Sequence, residues 1–324
     1  MDKMKIIMDV DPGIDDSLAL LLAGLSPEFE LMAVTVVSGN IEVHQASRNA
    51  RLAMKMIGRE DVLIAKGCDL PIKRNYVDAT DTHGKDGIGE VYFPKDDPFP
   101  HKDAIDVIIR LLKQYPHEIT IAALGPLSNL AKIIQFDSEV LKLAKEIVVM
   151  GGSVNVCGNC SPVAEYNFWC DPHAAKIFFD AKLSNVTMVP LDVTYKIRLT
   201  PDMREMIRQF RTPLSKYVTD ITGFYVDFHW NQERTLGCVI NDPLVIAYLL
   251  DRSLLTLKKG HVAIETEGIA IGESVVDFRD RNPYKSCNIA QTVNSRKFFE
   301  LFLTRLFHEH QSDIQLMIEK RMIL

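Results

Sequence analysis

The sequence predicts an α/β protein in which an open, mostly parallel sheet is flanked by helices, and three observations carry that reading. Short β-rich runs alternate with longer stretches whose apolar residues recur at three- and four-residue steps, the pattern of parallel strands joined by crossover helices. The 324 residues are 47% hydrophobic and 25% charged, an ordinary globular composition that excludes disordered and collagen-like chains. No repeat, low-complexity linker or charge block divides the chain, so residues 1–324 read as one domain.

The first strand is Lys5–Met8, and a helix over Asp15–Leu25 follows it. Leu31–Val37 is the next strand, Val43–Ile57 the next helix, and Val62–Ala65 a short strand. Residues 74–100, rich in Asp, Gly and Pro, read as a long surface loop. The alternation resumes with a helix at Ala104–Gln114, a strand at Ile119–Leu124, a helix at Leu127–Gln135 and a strand at Glu146–Met150. Pro172–Ala181 is a helix whose start is marked by Asp171 as N-cap and proline in the first turn; the strand Val186–Leu191 follows. Residues 211–237, with an aromatic cluster, read as a second long loop, and long loops in compact domains are often lids or binding segments. After the helix Pro243–Leu250, the strands Val262–Glu265 and Ser274–Phe278, punctuated by Gly260, Gly268 and Gly272, either extend the sheet or form a hairpin beside it.

The formal charge of -6, from 37 basic and 43 acidic residues, argues against a chain built to neutralise phosphates, so nucleic acid is not the expected partner. No apolar run approaches the ~18–20 residues that span a bilayer, and Asp9 arrives before a signal-peptide core can form. A soluble protein is expected, with no membrane partner. Six cysteines are too dilute for a disulfide framework, which suits a reducing cytoplasm. Cys157-Gly158-Asn159-Cys160, with Cys170 and His173 downstream, is a single Cys-x-x-Cys pair and a weak zinc or redox signal.

The segment Asp9-Val10-Asp11-Pro12-Gly13-Ile14-Asp15-Asp16 sets four carboxylates between a strand and a helix. Two unit charges ~4 Å apart repel by about 4 kcal/mol at an effective dielectric of about 20, so converging side chains need a cation or raised pKa values. Oxygen ligands favour calcium or magnesium. The plainer reading has Asp15 and Asp16 complementing the helix dipole while Asp9 and Asp11 face water. An EF-hand starting at Asp9 fails, because Ile14 and Leu20 stand where glycine and glutamate are required. A haloacid-dehalogenase-type phosphatase, with Asp9 as nucleophile, is a weaker alternative, since Gly13 departs from its motif.

This motif resembles that of the inosine–uridine nucleoside hydrolase family, Asp-x-Asp-Pro-Gly-x-Asp-Asp, at every specified position. The resemblance continues through Gly39-Asn40, His83-Gly84, Leu124-Gly125-Pro126-Leu127-Ser128-Asn129, Met150-Gly151-Gly152, Glu165-Tyr166-Asn167 and Asp242-Pro243. Most of these segments lie where a strand gives way to a loop or helix, the edge on which open α/β sheets bind ligands.

The resemblance implies a Rossmann-like nucleoside hydrolase fold and a calcium-dependent ribonucleoside hydrolase of nucleoside salvage, active at the C-terminal ends of the strands. The implied calcium ligands are Asp11, Asp16, Asp242 and the Leu124 carbonyl. Asp11 is the expected general base, taking a proton from a calcium-bound water. Asp15, Asn40, Asn159, Glu165 and Asn167, with Met150 nearby, are implied at the ribose, where acidic groups stabilise an oxocarbenium-like transition state. Asp171, by contrast, reads as a structural cap. Many members carry a histidine before the late Asp, whereas this chain has Asn241, which cannot act as a general acid. Leaving-group activation then falls to His83 or His229, or to aromatic stacking by Tyr225 and Phe228; the plainer reading makes 224–230 a helix burying its rings. The Asn241 departure keeps open a ribose- or nucleoside-binding protein with weak or lost activity. The implied ligand is a neutral ribonucleoside, and family analogy implies a homodimer or homotetramer.

Overall fold

The computed structural model describes residues 3–93, 102–279 and 287–321. Ten strands form one sheet: β1 (Met4–Val10), β2 (Phe29–Val36), β3 (Ile64–Lys66), β4 (Lys102–Asp103), β5 (Ile119–Ala123), β6 (Glu146–Met150), β7 (Val186–Val189), and three late ones. A two-stranded ribbon of β8 (Arg198–Leu199) and β9 (Cys238–Val239) lies apart from it. The late strands are β10 (Leu255–Ile264), β11 (Ser274–Asp277) and β12 (Cys287–Val293).

The sheet order is β11-β10-β12-β7-β6-β5-β1-β2-β3-β4, parallel throughout except where β10 pairs antiparallel with β11 and β12. The expected mostly parallel sheet is therefore present, and the late strands extend it. β1 lies between β5 and β2, so the chain leaves β1 toward one edge and β5 toward the other. That reversal opens a crevice at the carboxyl ends of β1 and β5, the usual place for a ligand in such sheets.

The helices are α1 (Ile14–Gly24), α2 (Val43–Met56), α3 (Thr80–His83), α4 (Ala104–Gln114), α5 (Ser128–Phe136), α6 (Tyr166–Cys170) and α7 (Pro172–Asp180). They continue with α8 (Leu191–Thr194), α9 (Pro201–Gln209), α10 (Pro213–Glu233), α11 (Pro243–Leu250), α12 (Ser295–Leu306) and α13 (Gln311–Arg321). Successive side chains of a strand point to opposite faces, and β1 shows it: Ile6, Met8 and Val10 enter one core with α1, α2 and α11, while Ile7 enters the other with α4, α5 and α7. Residues 14–23 of α1 are all buried, because α2, α10, α11 and α12 surround it.

Residues 211–237 are not a loop: α10 occupies most of them. Thr212 caps it, its Oγ1 accepting from the Ser215 N–H at 3.0 Å, and Pro213 supplies the fixed φ of a first turn. Tyr217, Val218, Ile221, Tyr225 and His229 recur at helical spacing and face inward, a periodicity masked by Gly223 and the intervening polar residues. Within 74–100, α3 interrupts the loop, and residues 94–100 lie outside the described residues. The strand expected at Val262–Glu265 is the end of the longer β10, whose residues 256–259 are exposed and include Lys258 and Lys259.

Candidate active site

The loop between β1 and α1 folds back on its own carboxylates. Asp16, in the first turn of α1, accepts the N–H groups of Asp11 and Gly13 at 3.1 Å each. Asn40, beyond β2, donates its backbone N–H to Asp11 Oδ2 at 2.8 Å and its side-chain amide to Asp16 Oδ2 at 3.1 Å. Asp11 Oδ1 is buried and receives no hydrogen bond. Its neighbours Gly39 and Gly125 lack side chains for a physical reason, since a Cβ at either would collide with the Asp11 carboxylate.

Asp242 completes the group from the start of α11. Carboxylate oxygens of Asp15, Asp16 and Asp242, all buried, lie within 4.8 Å of one another. Although Asp242 stands at a helix start, its side chain makes no capping bond, whereas Asp171 caps α7 through the Ala174 N–H at 3.0 Å and also accepts from Ser128 Oγ at 2.7 Å. Burial, then the Asp16 charge, pushes Asp11 well above the usual carboxylate range; burial, then Asp15, raises Asp16 to about 7 and Asp242 well up. Such a cluster needs protons or a cation, and an all-oxygen donor set suits a hard divalent ion.

The cavity above these groups has a volume of about 530 Å³ and, among the described residues, no lysine or arginine lines it. Asp15, Asn40, Met150, Asn159, Glu165 and Asn167 line it, as does the Leu124 residue at the end of β5. The Asn167 amide donates to the Leu124 carbonyl at 2.7 Å, and the Glu165 carboxylate accepts the Gly152 and Asn167 N–H groups at 2.9 Å each. Burial still raises Glu165 to about 7. The Asn159 oxygen accepts from the Tyr166 N–H at 2.9 Å, so this exposed loop side chain also braces the start of α6.

Tyr225, Phe228 and His229 reach the cavity from α10, and Asn241 from the turn before α11. The Asn241 amide donates to Asp15 Oδ2 at 3.0 Å. The two histidines differ. His83 Nδ1 accepts from the Ile14 N–H at 3.0 Å, the first amide of α1, so the neutral ring carries its proton on Nε2; burial lowers its pKa. His229 is engaged at both nitrogens, Nδ1 with the Tyr225 carbonyl at 2.8 Å and Nε2 with the Val239 N–H at 3.4 Å, which leaves it no proton to offer a ligand.

The family profile described as inosine-uridine preferring nucleoside hydrolase matches residues 6–300. The chain belongs to this family. This nucleoside hydrolase is 37% identical over 308 residues to the Leishmania major inosine-uridine preferring nucleoside hydrolase, covering 93% of this chain and 97% of that one. It is 35% identical over 312 residues to Arabidopsis thaliana uridine nucleosidase 1, with 93% of each covered. The solved structure of a purine-preferring ribonucleoside hydrolase from Gardnerella vaginalis matches it with a TM-score of 0.89 at 31% identity, covering 95% of this chain and 99% of that one. The chain is thus an N-glycosyl hydrolase acting on ribonucleosides, in a metal-dependent family.

One sequence expectation changes in this nucleoside hydrolase. Asp9 does not join the cluster: its side chain is buried on the far side of β1, accepting from Thr35 Oγ1 at 2.5 Å and from the Asn129 amide at 2.8 Å, with burial raising it to about 6. It cannot be the exposed nucleophile of a phosphatase. Among the described residues the grouped metal donors are carboxylates and include no cysteine. Tyr76, outside every motif, and Tyr166, named above only within Glu165-Tyr166-Asn167, both donate their hydroxyls to the backbone carbonyl of Gly39, remote in the chain.

Proposed function

We propose that this ribonucleoside hydrolase holds a calcium ion with Asp11, Asp16, Asp242 and the Leu124 carbonyl, and that Asp11 is its general base. The observation that carries the reading is the buried carboxylates of Asp15, Asp16 and Asp242 within 4.8 Å of one another, with Asp11 tied to Asp16 through Asn40, beside a cavity that Asp15 and Asp242 line and that no lysine or arginine lines among the described residues. A divalent ion bound there lowers the pKa of water and neutralises the cluster.

Asp11 has one oxygen held by Asn40 and one free of hydrogen bonds, and the free Oδ1 accepts the proton of the attacking water. Asp15 and Glu165 face positive charge developing on the ribose ring, while Asn40, Asn159 and Asn167, with Met150 packed nearby, bind and enclose the sugar. Asn241 holds Asp15 in place of supplying a proton. The Nε2–H of the neutral His83 can hydrogen-bond the departing base without giving up its proton, so the base leaves as an anion that solvent water protonates, and it stacks against Tyr225 and Phe228.

The names of the relatives include inosine, uridine and purine nucleosides, and the substrate we assign is a purine or pyrimidine ribonucleoside. Its products, a free base and ribose, suit salvage, and we read the enzyme as a cytoplasmic homodimer or homotetramer on the sequence expectations above. The test is release of reducing sugar from a panel of ribonucleosides and from p-nitrophenyl riboside, with calcium, with magnesium and after chelation. Turnover that disappears on chelation and returns best with calcium is expected. Undiminished turnover after exhaustive chelation would sink the metal assignment, and a normal rate in Asp11→Asn would sink the general base.

A further inference from the structure

The peptide joining Gly39 to Asn40 is hydrogen-bonded at both ends. Its N–H donates to Asp11 Oδ2 at 2.8 Å. Its carbonyl accepts from two phenols, Tyr166 Oη at 2.5 Å and Tyr76 Oη at 3.0 Å. Tyr166 opens α6 and Tyr76 belongs to the loop before α3, so segments remote in sequence close on one carbonyl. Their rings pack in a small apolar cluster with Ala79, Trp169 and Cys170. Burial pushes both phenols upward from their ordinary pKa, so each keeps the proton it donates.

Rotating this peptide would swing its N–H off Asp11, and two donors on the carbonyl oppose that rotation. Donors at a carbonyl also polarise the amide, which strengthens the N–H at its other end. With Oδ2 so held, Oδ1 is the oxygen of Asp11 left without a hydrogen bond. We infer that Tyr76 and Tyr166 are positioning residues that act through the Gly39–Asn40 peptide to fix which oxygen of Asp11 takes the proton. The inference rests on Asp11 being the general base. The same turn ties in the cavity wall, because the Ala79 N–H donates to the Asn40 carbonyl at 2.9 Å. The segment that carries His83 is thereby braced on the turn that seats Asp11.

The experiment uses the full chain with calcium present and p-nitrophenyl riboside as substrate, comparing Tyr76→Phe, Tyr166→Phe, the double variant and Asp11→Asn. Each single loss of a hydroxyl is expected to lower kcat about tenfold, and the double loss about hundredfold, the scale of misplacing a catalytic group, while KM and calcium affinity hold and Tm falls only modestly. In an Asp11→Asn background the same changes should have no further effect on residual turnover. A double variant with wild-type kcat, while Asp11→Asn is inactive, would overturn the clamp and leave the base intact. A fall in kcat matched by loss of Tm and calcium affinity would also overturn it, since the phenols would then be holding only the fold. Full turnover in Asp11→Asn would remove the general base and this inference with it.

Discussion

At the level of single residues, the hydrogen-bond partners of a side chain separate roles that residue type alone leaves equal. His83 and His229 both line the cavity, yet only His83 has a ring N–H without a partner among the described residues. His83→Ala should therefore lower kcat on uridine or inosine by about a hundredfold, the scale of losing one aimed donor, and lower it far less on p-nitrophenyl riboside, whose leaving group needs no help. His229→Ala should instead strip partners from the Tyr225 carbonyl and Val239 N–H, costing about 1–3 kcal/mol of stability, with the ratio of the two substrates unchanged. Steady-state rates and thermal melts of both variants check this, and a selective loss in His229→Ala would reverse the assignment. Asn241→Ala removes one donor from Asp15 and should reduce kcat/KM roughly tenfold; an unchanged value would mean that Asp15 needs no such support. The crowding of carboxylates at 9–16 was legible in the sequence because its cost is local, whereas Asn40 and Asp242 were reached through the family resemblance. The bonds of Tyr76 and Tyr166 were not legible, because a phenol's partner more than thirty residues away leaves no local pattern.

The elements were readable where burial made their periodicity strong. The strands β1, β5 and β6 and the helices α1, α4 and α11 follow from unbroken or regularly spaced apolar residues, and their expected limits agree with the structure to within a residue or two. The failure at α10 is instructive, because its inward stripe is interrupted by Gly223 and its outward face by aromatic and polar residues alike. Late elements such as β12 and α12 escaped because their apolar positions gain meaning only against β7, β10 and α11. Gly223 offers a test of α10 as a working helix. A Cβ there would meet only Arg204 Nη2 at 3.7 Å, an ordinary contact, and its backbone has no positive φ. Gly223→Ala should stabilise the protein by about 0.5–1 kcal/mol, read as a rise in Tm, by removing glycine's excess freedom in the unfolded chain. A fall in Tm would show that the added methyl strains the packing of α10 against Arg204.

For the whole molecule, the decisive quantity is how many protons the folded chain holds compared with the unfolded one. Asp16 and Glu165 are raised to about 7 and Asp9 to about 6, and Asp11 and Asp242 are raised as well, with burial the first cause in each. In the unfolded chain these carboxyls titrate near pH 4. Between about pH 4 and about pH 7 the folded state therefore binds more protons, and the stability of the chelated protein should fall as pH rises through that window. A divalent cation binds the ionised cluster and competes with those protons, so its stabilising effect should grow as pH rises through the same range. At a hundred times its Kd it adds about 2.7 kcal/mol, a shift of about 5 °C in Tm for a chain of this size. Thermal melts at pH 5, 6.5 and 8, with chelator, calcium or magnesium, read both effects at once. Calcium should raise Tm little at pH 5 and most at pH 8, while the chelated protein melts lowest at pH 8. If the chelated protein instead gains stability from pH 5 to 8, the folded chain does not hold these carboxyls protonated and the competition between protons and a cation fails. A calcium effect equal at pH 5 and pH 8 would place the bound ion on surface carboxylates with ordinary pKa values, because only a site whose ligands are still protonated at pH 5 couples binding to proton release.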